Sequence, residues 1–231
     1  MLSAPATIAT ERAYVRRLKH HAPLQDEDIV ALEGRLGRVE IHAPGKDLEL
    51  AKTQPLFLIS GWACLAHSLR DGRRQIIAFL LAGDGVGFDL LTRPQPHIEL
   101  LALTPLKVRY AQPGSLALNE RLGRAFAGAA AEQQTRLVGH LVRLGRQTAY
   151  ERVAHLLLEL HGRLAEIGEA RGEGFHLPVK QEVLADALGL SLVHVNRTLQ
   201  QMRRDGLIDL RGSQVSLLDR PGLELAGDQR A

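Results

Sequence analysis

The chain has 231 residues, 45% hydrophobic and 24% charged, an ordinary globular composition with room for one large domain or two smaller ones, neither disordered nor fibrous. Its formal net charge is only +3, and residues 149–231 hold ten Lys and Arg against twelve Asp and Glu, so overall charge argues for no particular partner. A single cysteine, Cys64, excludes a disulfide framework, a cysteine-rich zinc site and a four-cysteine iron–sulfur cluster within one chain. The opening run MLSAPATIATERAYVRR lacks a continuous apolar segment, and no stretch approaches the roughly 18 apolar residues of a membrane span. The expectation is a cytoplasmic protein with no membrane partner.

Residues 11–21 and 25–36 read as two short helices separated by Pro23, with Asp26 as the expected cap of the second. From Val39 to Tyr110 short apolar runs such as LFLISGWACLAH, RQIIAFLLAG and LKVRYA alternate with Gly and Pro, the texture of an antiparallel sandwich or barrel. Asp71-Gly72 is a hairpin turn signal, because this pair tolerates positive φ at little cost. After Gly114 the pattern turns helical. Leu137, Leu141, Leu144 and Thr148 follow four-three-four spacing, which predicts a seam for pairing with a second copy; the competing reading packs these leucines on their own domain. Residues 149–167 form a strongly apolar helix that should floor the last domain, and 168–176 read as loop.

The most informative segment is QEVLADALGLSLVHVNRTLQQMRRDG, residues 181–206. A short apolar helix stops at Gly189, which supplies the backbone freedom for the turn, and Ser191 can cap a second helix. Leu192, Val195, Leu199 and Met202 are spaced to share one face of that second helix and should pack on Val183, Leu184 and Leu188. The other face presents His194, Asn196, Arg197, Gln200, Gln201, Arg203 and Arg204, with no acidic residue between Ser191 and Arg204. Two helices joined by a tight turn, the second lined with such groups, match the way a helix-turn-helix enters the DNA major groove. Arg can donate two parallel bonds to guanine, and Asn or Gln can exchange a donor–acceptor pair with adenine. Base contacts are therefore expected from His194, Asn196 and Arg197 in the first turns, and phosphate contacts from Lys180, Gln181, Ser191, Gln200, Arg203 and Arg204. Beyond Gly206, LIDLRGSQVSLLD reads as two strands forming a wing around Arg211-Gly212-Ser213, with Ser213 and Gln214 at its tip.

Residues 174–217, and the run LADALGLSLVHVNRTLQQMRRDGLI in particular, resemble the C-terminal winged helix of the Crp/Fnr family of bacterial transcription regulators, in a branch whose core reading motif is H-V-N-R. On that pattern His194, Asn196 and Arg197 carry over as base contacts, and Gln181 and Ser191 as phosphate contacts. Two departures stand out: Val193 replaces a glutamate of better-studied members, so their target sequence does not transfer, and Lys180 stands where the family often has a Thr cap. LFLISGWACLAHSLRDGRRQIIAFLLAGDGVGF is similar to the family's cyclic-nucleotide-binding β-roll, and the helix before residue 149 to its dimerisation helix.

The resemblance implies an α+β chain: an antiparallel β-roll over 1–125, a long dimerisation helix over 126–148 carrying Leu137, Leu141 and Leu144, and a winged helix-turn-helix over 149–231. It implies a homodimer on palindromic double-stranded DNA, with RNA polymerase as a further candidate partner. The candidate effector pocket comprises Gly83, Gly85, Gly87, Phe88 and Arg93. Phe88 falls where nucleotide-binding members place the ribose carboxylate, and Pro96-His97-Ile98-Glu99 replaces the phosphate-binding Arg-Ser pair, so cyclic AMP is not the expected effector. Haem stays open as an alternative, with His67, His97, His140 and Cys64 as candidate ligands, as does a ligand-sensing module acting through protein–protein contact. His20-His21 and the pair His155/His161 lack metal-ligand spacing. No HExxH, GxxxxGKS/T or GxSxG motif points to an enzyme.

Overall fold

The computed structural model describes residues 13–48, 54–87, 98–112 and 119–227. They form two compact units: one holds the described residues up to His67 together with Phe79–Arg136, the other Ser68–Ala78 and the residues from Leu137 onward.

The N-terminal unit begins with α1 (Ala13–His21) and α2 (Asp26–Glu33). Gln25 rather than Asp26 is the N-cap of α2, because Asp28 lies at the third helical position and its carboxylate accepts from the Gln25 N–H at 2.8 Å. Asp28 is fully buried and also accepts from Asn119 Nδ2 and Arg121 Nε, each at 2.6 Å. Seven short strands follow: β1 (Leu36–His42), β2 (Leu56–Ser60), β3 (Ala63–Ser68), β4 (Arg74–Leu80), β5 (Gly85–Val86), β6 (Glu99–Ala102) and β7 (Leu106–Ala111). They make one sheet in the order β1-β7-β2-β5 and another in the order β4-β3-β6. The pairing is antiparallel, with Val39 opposite Arg109, Leu58 opposite Val108 and Cys64 opposite Leu101. Leu56, Leu58, Leu106 and Val108 are buried in the sheet core, while Phe57 stacks between Tyr14 and Phe126 at ring distances of 4.9 and 6.1 Å.

Helix α3 (Glu120–Arg146) runs on into the second unit and is followed by α4 (Ala149–Glu166). The break is made by Thr148. Its hydroxyl accepts from the Glu151 N–H, and the Glu151 carboxylate accepts from the Thr148 N–H at 2.5 Å. Thr148 is thus a cap and not the last member of the helical seam. Behind α4 lie β8 (Ala170–Arg171), β9 (Gly174–His176), α5 (Gln181–Leu188), α6 (Leu192–Arg204), β10 (Ile208–Arg211), β11 (Gln214–Leu217) and α7 (Arg220–Ala226). The expected loop at 168–176 is in fact the hairpin β8–β9, which pairs with the wing in the order β10-β11-β9-β8. Strands of two and three residues carry no periodicity of their own; β9 is held by register with β11, Phe175 opposite Val215, both buried.

Between α3 and α4 sits a polar cluster in an otherwise apolar floor. Arg143, 2% exposed, pairs with Glu159, and Arg163 reaches the same carboxylate at 3.4 Å. Burial pushes the Glu159 carboxyl up, but the two guanidiniums outweigh it and hold the group below its ordinary value. His140 and His155 are each pushed down by burial first and by Arg143 second.

Candidate nucleic-acid interface

The two helices that carry the interface are set by their ends. Gly189 terminates α5 with φ 62° and ψ 38°, its N–H returning to the Ala185 carbonyl. A side chain here would be strained and would crowd Leu144, whose Cδ2 lies 3.2 Å from the position of a Cβ. The last carbonyls of α5 are satisfied from outside: Gln75 Nε2 donates to Ala187 O at 3.3 Å and Arg152 Nη1 to Leu188 O at 2.9 Å. Arg74 donates through Nε and Nη2 to Asp186 Oδ2 at 2.9 and 2.7 Å. At the other end Lys180 is the N-cap of α5 and makes no side-chain cap bond, since an ammonium has no acceptor to offer the free N–H groups.

Helix α6 starts at the N-cap Ser191, whose hydroxyl accepts from the His194 N–H at 3.2 Å. Its buried face is Val195, Thr198, Leu199 and Met202. Leu192, expected in that row, instead lies exposed in the first turn, and Thr198 takes the fourth place with its hydroxyl satisfied by the His194 carbonyl at 2.9 Å. A hydroxyl that bonds back to the preceding turn loses little on burial, which is why a polar residue fits on the buried face.

The outer face places His194, Arg197, Gln200, Gln201, Arg203 and Arg204 in solvent. Asn196 is half-buried at the centre of an amide ladder: its Nδ2 donates to Gln181 Oε1 at 3.1 Å and its Oδ1 accepts from Gln200 Nε2 at 2.9 Å. One N–H and one lone pair of Asn196 are left over. Lys180, Gln181, Asn196 and the wing residue Ser213 line one open cleft of about 900 Å³; Pro178, Val179, Glu182, Leu192 and Val193 complete it. His194, Arg197, Gln200, Arg203, Arg204 and Gln214 are not among its lining residues. The wing turn brings Arg211 opposite Gln214 and leaves Ser213 and Gln214 exposed. Arg203 lies 3.9 Å from Asp209, whose carboxyl is held below its ordinary value mainly by the Arg211 hydrogen bond. Pro178, Val179, Glu182 and Leu192 were not legible from sequence as lining of this cleft; the exposed Val193 carried a signal, as an apolar residue that interrupts the polar stripe.

The other expected sites are placed as follows. Gly83 has φ 88° and packs so closely on α1 that a Cβ would lie 2.9 Å from the Ala13 backbone, while Asp84 pairs with Arg17 at 3.4 Å. Packing therefore accounts for Gly83 without a ligand. Gly85 pairs with Phe57 in the sheet, and Gly87 backs onto Pro55. Phe88, Arg93 and His97 lie outside the described residues. Cys64 and His67 are on β3 in the N-terminal unit, Cys64 fully buried, and His140 is on α3 in the second unit. Among the described residues no group of three His, Cys, Asp or Glu is placed to hold a metal ion, and no helix is long and apolar enough to cross a membrane. On α3, Leu137, Val138, Leu141 and Val142 are exposed, whereas Leu144 is half-buried and turned toward Gly189.

Residues 151–226 match the family model described as a Crp-like helix-turn-helix domain. The nitrogen fixation regulation protein FixK of Azorhizobium caulinodans is 33% identical over 72% of this chain and 68% of its own length. The chain belongs to the Crp/Fnr family. It is a DNA-binding transcription regulator of that type, with the family's α+β architecture of N-terminal antiparallel sheets, long helix and helix-turn-helix. The transcriptional activator FnrL of Cereibacter sphaeroides is 29% identical over 68% of this chain and 65% of its own. The structure of FixK2 from Bradyrhizobium japonicum superposes with a TM-score of 0.74 at 29% identity, covering 84% of this regulator and 98% of that chain. These relatives are transcription regulators and not enzymes.

Proposed function

We propose that this regulator works as a homodimer joined through α3 and reads a palindromic operator with α6, each reading helix entering a major groove with half-sites about one helical turn apart. The carrying observation is the division of α6 into a buried apolar side and an outer side free of acidic groups, with Arg197 exposed in its second turn. His194, Asn196 and Arg197 are assigned to base edges. Lys180, Gln181, Ser191, Gln200, Arg203, Arg204 and the wing residues Ser213 and Gln214 are assigned to the phosphate backbone. The exposed apolar row Leu137, Val138, Leu141 and Val142 supports pairing of α3 with its copy, and Leu144 is left out of that seam. The protein acts in the cytoplasm and, when bound at a promoter, meets RNA polymerase. Cyclic AMP is not the effector on this reading: Gly83 is explained by packing on α1, and the sequence lacks both the ribose carboxylate and the Arg-Ser phosphate clamp.

Two substitutions separate base reading from phosphate contact. Arg197→Ala should cost about 1–3 kcal/mol on the preferred duplex and flatten discrimination at a single base pair. Arg203→Ala should weaken binding to all duplexes alike and lower the salt dependence of binding by about one phosphate contact. Fluorescence anisotropy against single-pair operator variants over a salt series reads both; an Arg197→Ala protein with unchanged base preference would remove Arg197 from the reading set.

A further inference from the structure

The first turn of α6 carries two apolar side chains turned outward. Leu192 is 42% and Val193 73% exposed, while Val195, Leu199 and Met202 on the same helix are buried. An exposed valine in the first turn of a helix is disfavoured twice, by its restricted χ1 and by its apolar surface in water. The core of the unit gives no reason for it, because the packing face of α6 is complete without it. Both residues line the cleft shared by Lys180, Gln181, Asn196 and Ser213, so the apolar pair is continuous with the DNA-reading surface.

The floor of the major groove offers donors, acceptors and one apolar group, the C5-methyl of thymine. Val193 precedes Asn196 by three residues and Arg197 by four, which puts the three side chains on one strip of the helix. The two branches of valine can enclose a methyl group without burying any polar atom. A glutamate at the same place would accept from cytosine N4 instead.

We propose that Val193 is a specificity-determining residue that reads a thymine through its C5-methyl group, beside the base pairs read by Asn196 and Arg197, with Leu192 shielding the contact from water. This rests on the reading of α6 as the base-contacting helix.

The test uses the full-length protein and the duplex it prefers in selection from random DNA. Each thymine is replaced in turn by deoxyuridine, which lacks only the methyl group, and binding is compared for the wild type, Val193→Ala and Val193→Glu. One thymine per half-site should lose about fourfold in affinity for the wild type, the equivalent of about 0.8 kcal/mol for a buried methyl-sized group. Val193→Ala should show no such loss at that position, and Val193→Glu should move the preference there from thymine to cytosine. The side chain is so exposed that both variants should keep the wild-type thermal midpoint. Equal methyl dependence in the wild type and Val193→Ala, or none at any thymine, would overturn the role of Val193 while leaving base reading by α6 in place. A wild-type protein that prefers no duplex over random DNA would overturn both.

Discussion

Glu159→Gln is expected to destabilise the C-terminal unit by about 3–5 kcal/mol, the usual consequence of removing one partner from a buried ion pair. Arg143 is 2% and Arg163 5% exposed, and both use the Glu159 carboxylate as counter-ion. Without it two guanidiniums remain between α3 and α4 with an amide in place of a charge. Urea unfolding followed by circular dichroism measures the effect as a lowered midpoint at unchanged slope; a shift below about 1 kcal/mol would mean that water reaches the cluster. The same cluster contributes to the loss of stability in acid. His140 and His155 are held below the ordinary 6.5 by burial and by Arg143, so the folded protein resists protonation that the unfolded chain accepts. Stability is therefore full above pH 6.5 and falls as pH drops through and below that value. Glu159, held below its ordinary value, adds a second loss at lower pH as its carboxyl is protonated. His155→Gln should flatten the first of these two declines.

Leu141→Glu is expected to give a folded monomer. Leu141 is 70% exposed on α3, so a carboxylate there disturbs no core, yet two copies of it would face each other across a paired helix. Half-site binding that is no longer linked in pairs should lose on the order of 10²- to 10⁴-fold in operator affinity. Sedimentation equilibrium should show half the wild-type mass, and anisotropy the loss of affinity. A Leu141→Glu protein that stays dimeric would place the interface elsewhere. Leu144→Glu should behave differently: this side chain is half-buried beside Gly189, so the substitution should loosen the α5–α6 turn and lower the unfolding midpoint.

The difference between Leu141 and Leu144 shows what could be read from the amino-acid order and what could not. Four-three-four spacing identifies a helical stripe, but a stripe wide enough to hold Leu137, Val138, Leu141 and Val142 has an edge, and spacing does not say on which side of the edge Leu144 falls. The reading helix was more legible. Gly189, the Ser191 cap and the row Val195, Leu199, Met202 each impose a local requirement that only one geometry meets. Leu192 escaped for the same reason as Leu144, and Thr198 because a buried hydroxyl is made tolerable by a bond to its own helix. The wing was visible because Gly212 punctuates two apolar runs. Hairpin β8–β9 was not, since its stability comes from Val215, some forty residues away. The last helix, α7, had a legible start in Asp219-Arg220-Pro221, where Asp219 accepts from the Gly222 N–H at 3.0 Å and proline occupies the first turn, but the stretch was passed over. The glycine turn at 83–87 was legible as a turn. That Gly83 serves the approach of α1 depends on a contact with Ala13, some seventy residues earlier, which no local pattern contains.

Affinity selection of the full-length protein from a pool of random duplexes tests the proposed mode of action most directly. An enriched inverted repeat, with half-sites about one helical turn apart and loss of enrichment for Arg197→Ala, is the predicted outcome. Recovery of sequences no different from the starting pool, at low as well as moderate salt, would contradict a dimer that reads bases through α6.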